Sequence, residues 1–88
     1  MDQHQPHDPL TVEIVAPREP DDARPFTFAP HATVGTAARE AADAFEYEGG
    51  NPTLRTRERR VLDRNQTLAQ AGVHDHELLE LVDAGGGV

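Results

Sequence analysis

Two stretches of alternating apolar and polar residues, one alanine-rich amphipathic segment, and a run of short apolar segments behind it predict an α+β fold. In such a fold a single helix packs on one face of a mixed sheet of four to five strands, because that is where its apolar stripe can be buried. The 88 residues suffice for one domain, and a chain of this size buries only about 60% of the surface its unfolded form exposes.

Residues 1–9, Met1-Asp2-Gln3-His4-Gln5-Pro6-His7-Asp8-Pro9, are polar and aperiodic and read as a disordered lead-in. A folded domain over residues 10–82 follows. Leu10, Val12 and Ile14 alternate with Thr11, Glu13 and Val15, the pattern of a half-buried strand. Residues 17–24 carry two prolines and read as a polar turn, after which Pro25-Phe26-Thr27-Phe28-Ala29-Pro30 alternates again, so residues 10–30 form a hairpin with a long loop. Thr33 is a good N-cap for a helix whose apolar stripe is Val34, Ala37, Ala38, Ala41, Ala44 and Phe45. Small alanines let the helix approach the sheet closely, which leaves Val34 and Phe45 to supply most of its packing. Gly49-Gly50-Asn51-Pro52 lies past the helix end and prevents its continuation. The last third reads as a strand at Thr53–Thr56, a charged turn at Arg57-Glu58-Arg59, a short strand at Val61-Leu62, one helical turn at Thr67–Gly72, and a final strand at Glu77–Val82 with Leu79 and Leu81 facing inward.

Composition removes several classes of function. The net charge of −8 opposes nonspecific nucleic-acid binding, whose affinity comes chiefly from neutralising phosphates. No apolar run approaches the roughly 20 residues of a membrane span, and the N-terminus lacks the basic-then-apolar pattern of a secretory signal. With no cysteine, the composition fits a reducing cytoplasm, and a monomer is expected there. No nucleophile stands beside a base and no glycine-rich phosphate loop precedes a helix, so no catalysis by this chain is expected. His74 and His76 flank Asp75, but a structural zinc site needs four ligands of defined geometry, and these read as exposed turn residues.

All eight cations are arginines. The chain therefore offers no lysine amine to which another carboxyl end could be joined, and Met1 carries the only amine. Arg55, Arg57, Arg59, Arg60 and Arg64 stand against Glu58 and Asp63, a local charge of +3 in an acidic chain. Such a cluster is either a solvated hairpin or a docking face for an acidic partner.

The last strand is followed by Asp83-Ala84-Gly85-Gly86-Gly87-Val88, a glycine-rich tail over residues 83–88. Glycine has no Cβ, so the walls of a partner's groove can close on such a segment from every side. Fully extended, Asp83 to Gly87 spans on the order of 16 Å. Glycines also occur at ordinary flexible ends.

The order of elements, with Thr33-Val34 opening the helix, Val61-Leu62-Asp63-Arg64-Asn65-Gln66-Thr67-Leu68 in the middle and Leu78-Leu79-Glu80-Leu81 before the glycines, resembles the β-grasp family of ubiquitin-like proteins. Among these it looks most similar to bacterial modifiers encoded beside their own E1-like activating enzyme, E2-like conjugating enzyme and JAB-type peptidase. Asp75-His76 stands where those relatives have Asp-Gly, a substitution that backbone preference tolerates.

The resemblance implies a protein modifier. Val88 is removed, Gly87 becomes the reactive terminus with Gly85 and Gly86 as its slender approach, and the activating enzyme uses ATP to adenylate that carboxylate before passing it through a thioester to an amine of a target protein. Cleavage after Gly86 is the alternative. The resemblance equally allows a sulfur carrier ending in a thiocarboxylate, which Val88 weighs against, or a noncovalent interaction module. It does not extend to the arginines ahead of ubiquitin's terminal glycines, where Asp83 and Ala84 stand here, nor to ubiquitin's apolar receptor patch. A dedicated activating enzyme is therefore implied.

Overall fold

A computed structural model of the chain describes residues 9–48 and 50–84. Residues 1–8 of the expected lead-in, and Gly85, Gly86, Gly87 and Val88 of the tail, lie outside the described residues.

Four strands and one helix follow in the order β1 (Leu10–Ala16), β2 (Glu19–Phe28), α1 (Val34–Phe45), β3 (Pro52–Thr56) and β4 (Leu78–Asp83). The strands form one sheet in the order β2-β1-β4-β3. The central pair, β1 and β4, is parallel, with Glu13 opposite Leu78 and Val15 opposite Glu80; β2 and β3 flank it antiparallel. The inward residues of the strands and the stripe of α1 enclose a core built on Val12, Ile14, Phe28, Val34, Leu54, Leu62, Leu68, Leu79 and Leu81. The inward positions read in β1 and β4 hold, since Val12, Ile14, Leu79 and Leu81 are all fully buried, but Val15, read on the outward side with Thr11 and Glu13, is buried as well.

The first hairpin is tighter than expected. Only Pro17 and Arg18 form its turn, and β2 begins at Glu19 and runs through Pro20 and Pro25. Prolines are tolerated there because β2 is an edge strand. Glu13 donates its N–H across to the carbonyl of Glu77 on the β4 side. Its opposite number Pro25 therefore sits in a non-hydrogen-bonded pair, and no ladder bond goes unmade for want of the proline donor.

The helix begins where expected, with Thr33 Oγ1 accepting the N–H of Thr36 at 3.1 Å. Two further N–H groups of the first turn find backbone partners outside the helix, Val34 on Gln66 O at 2.8 Å and Gly35 on Arg64 O at 3.0 Å. Glu46, in the left-handed region at φ 56°, turns the chain out of the helix before the glycines are reached. Val34 is fully buried as expected, but Phe45 is only half-buried. It packs at the rim against Phe26, with ring centroids 6.2 Å apart, and the Arg24 guanidinium lies 4.5 Å above its face.

Val61-Leu62 does not form a fifth strand. The segment touches the outer edge of β3 through a single bridge, Arg55 with Val61, and through Leu62 N–H on Leu54 O at 2.9 Å. The chain then turns away at Asp63, whose carboxylate accepts the N–H of Asn65. The single turn at residues 67–72 forms as expected: Ala71 N–H donates to Thr67 O, Thr67 and Gln70 exchange side-chain-to-backbone bonds, and Gly72 closes it at φ 82°.

Candidate functional site

The functional segment read from the sequence leaves the body at the C-terminal end of β4. That strand extends one residue beyond the expected Val82. Asp83 pairs with Pro52 of β3, and Ala84 donates its N–H to Asn51 O at 2.7 Å. The last residues before the glycines are thus held by the sheet and not part of a free tail, which leaves three glycines ahead of Val88. Fully extended, three residues span about 10 Å.

Two surfaces meet at this exit. On the helix side, Arg18, Glu19, Phe45, Glu46, Tyr47 and Glu48 line a cleft between the first turn and the end of α1. Tyr47 is half-buried there, its N–H bonded to Ala42 O at 2.8 Å. Burial, and secondarily the negative charge of Asp83, push its phenol above the ordinary 10.0. On the outer face of the sheet, Val15, Pro17 and Val82 flank a groove that also contains Arg55 and Glu80. Arg55 reaches across from β3 to Glu80 on β4, and its Nε and Nη2 both lie 2.8 Å from Oε1. With the side chains 31% and 40% exposed, such a pair contributes only about 0–1 kcal/mol. The pair places two charges on this face beside the apolar Val15, Pro17 and Val82.

The exit is acidic. Glu19, Glu46 and Glu48 line the cleft with Arg18 as its one cation, Asp83 lies near enough to act on Tyr47, and Arg24 pairs with Glu19 at 3.8 Å and Asp22 at 3.3 Å.

The five arginines read as one cluster separate. Arg55 is committed to Glu80. Arg64 lies on another part of the molecule, with Nε donating to Pro52 O at 2.7 Å and its carbonyl capping α1 through Gly35. Only Arg57, Arg59 and Arg60 remain together, in the turn after β3.

His74 and His76 are exposed, as expected. Among the described residues no group of three or more His, Asp or Glu side chains is arranged to hold a metal ion. The role of Asp75 was not read from sequence: its Oδ1 accepts the N–H of Thr11 at 2.8 Å, tying the start of β1 to the loop before β4. His76 adopts φ 68°, the left-handed conformation that the comparison with Asp-Gly had anticipated. Among the described residues no helix is long and apolar enough to cross a membrane.

The sequence matches no family model and no curated protein. Its fold does match solved structures. Ubiquitin from Caldiarchaeum subterraneum superposes with a TM-score of 0.71 at 24% identity, covering 90% of this chain and 99% of that one. A designed protein based on ubiquitin gives 0.72 at 16% identity, with 91% and 96% covered. The ubiquitin-like domain of the Mycobacterium tuberculosis type VII secretion system protein EccD1 gives 0.63 at 19% identity, with 85% and 98% covered. With one helix on a mixed sheet of four strands and superposition over 85% to 91% of its length on these structures, the chain has the ubiquitin-like β-grasp fold.

Proposed function

We propose that this chain is a ubiquitin-like protein modifier of bacterial type, joined to target proteins through Gly87. The observation that carries the reading is the arrangement at the end of β4. The sheet holds the chain as far as the Ala84–Asn51 bond, and Gly85-Gly86-Gly87 follow at once, so a slender segment starts directly from a rigid body. A peptidase of JAB type removes Val88 and anything beyond it. An E1-like enzyme then adenylates the Gly87 carboxylate with ATP, releasing pyrophosphate. A cysteine thiolate displaces AMP to give a thioester, and an E2-like enzyme passes the acyl group to a target amine, which releases the thiol as the amide forms. The chain itself binds no cofactor and catalyses no step, and the reading places it in the cytoplasm, where ATP is available.

The acidic exit supports a dedicated activating enzyme, because a groove shaped for a basic tail would repel Asp83 and its neighbours. The test is to incubate the full chain with ATP and the activating, conjugating and peptidase proteins encoded beside it, and to record intact masses. Loss of Val88 followed by adducts one water lighter than the sum of modifier and target supports the proposal. No covalent change with any enzyme set overturns it, and gain of sulfur at the C-terminus assigns the chain to sulfur transfer. The similarity to the EccD1 domain favours a second reading, a noncovalent module within a larger assembly. That reading predicts unchanged masses and binding that survives deletion of Gly85 to Val88.

A further inference from the structure

The turn after β3 gathers Arg57, Arg59 and Arg60 against Glu58 alone, in a chain of net charge −8. All four residues are exposed. Among the described residues none of the three arginines makes an ion pair, whereas Arg24 and Arg55 both do.

The turn is held in one shape. Arg59 sits at φ 71° and donates its N–H to Thr56 O at 2.9 Å. Thr56 donates in turn to Arg60 O at 3.0 Å, and the Arg60 N–H reaches Thr56 Oγ1 at 3.2 Å. The Arg60 guanidinium is positioned by a bond to Ala71 O at 3.2 Å. Beside it a concave surface lined by Thr56, Arg57, Glu58, Arg60, Gly72, His74 and Glu77 opens to solvent. Glu77, on the far side of this surface, accepts the N–H of His74 at 2.9 Å through Oε1.

We infer that this tip is a docking surface for an acidic segment of another protein, one presenting at least two carboxylates a few residues apart. Charge complementarity selects the partner. Three guanidiniums on a fixed turn can bind carboxylates in pairs with little ordering cost. A long polyanion such as nucleic acid is disfavoured, because it would extend beyond the tip onto surfaces dominated by carboxylates. The tip is also remote from the tail. Thr56 pairs with Leu79 and Pro52 with Asp83, which places the turn and the exit at opposite ends of β4, roughly 14 Å apart along the strand. One partner can therefore hold the tip while another engages the tail, and the docking does not depend on the tail's chemistry.

The test is a titration of the uniformly labelled full chain with an octaglutamate peptide, followed by backbone amide shifts. Expected shifts are confined to residues 56–60 and 72–74, with affinity falling several-fold between low and physiological salt. The double variant Arg57→Glu with Arg59→Gly removes two positive charges and adds a negative one while giving position 59 the residue its φ favours, so its fold is retained, as far-ultraviolet circular dichroism will show. It should weaken peptide binding by about tenfold or more. Shifts centred elsewhere, unchanged affinity in the variant, or tighter binding of a ten-residue oligothymidylate than of the peptide would overturn the inference.

Discussion

Asp75 Oδ1 accepts the backbone N–H of Thr11 at 2.8 Å across 64 positions of sequence. Thr11 O in turn accepts the N–H of His76, so the dipeptide before β4 pairs with the start of β1 as a strand would. Replacing Asp75 with alanine leaves the Thr11 donor without its acceptor and should lower stability by about 1 kcal/mol. Urea denaturation gives the change, and faster amide exchange confined to the first residues of β1 would locate it.

Three non-glycine residues carry positive φ: Glu46 at 56°, Arg59 at 71° and His76 at 68°. A left-handed conformation is costly for a residue with a Cβ, and Glu46 contributes its backbone to the end of α1. Glu46→Gly should therefore stabilise the fold by about 0.5–1 kcal/mol, read as a higher urea midpoint at unchanged slope.

Gly35 presents the opposite case. A Cβ there would lie 3.0 Å from Arg64 Nη2 and 3.3 Å from Arg64 O. The carbonyl is held by the Gly35 N–H itself, and moving the guanidinium gives up its bond to Pro52 O. Despite the better helix propensity of alanine, Gly35→Ala should destabilise by about 1 kcal/mol. In an Arg64→Ala background the penalty should shrink, a coupling that a double-mutant cycle measures.

The phenol of Tyr47 is raised above 10.0 by burial and then by Asp83. Its proton is held more tightly in the folded state than in the unfolded one, so this contribution is fully present below pH 10.0 and is lost as pH rises through the folded value. The chain has a single tyrosine and no tryptophan, and phenolate absorbance reports this group alone. Its midpoint should lie above that of the urea-unfolded chain and move down in Asp83→Asn. Tyr47→Phe should remove the group's share of the alkaline loss of stability.

Much of the core was legible because period-two alternation in β1 and β4 and the alanine stripe of α1 each specify a buried face, although Val15 is buried off that alternation and α1 buries Ala42 and exposes Ala44. The extent of β2 was not. Pro20 and Pro25 read as breakers until the strand order puts them on an edge, where a missing donor loses no bond. Neither was the division of the arginines. Arg60 and Arg64 are four positions apart, but the turn at Asp63 carries Arg64 to the start of α1. Proximity along the chain could not reveal that its guanidinium belongs to Pro52. The Arg55–Glu80 pair lay hidden for a related reason, since a contact between β3 and β4 depends on register, which single-strand patterns do not report.

Pro25 has a consequence for how this protein can be grasped. Its ring nitrogen occupies the open edge of β2 at a point where an added strand would look for a donor, while the far edge of β3 is already occupied by the Arg60 and Leu62 backbone. The sheet cannot be extended by a neighbouring copy or by an extended peptide without a gap in the ladder. Edge-to-edge pairing of crowded copies is thereby disfavoured.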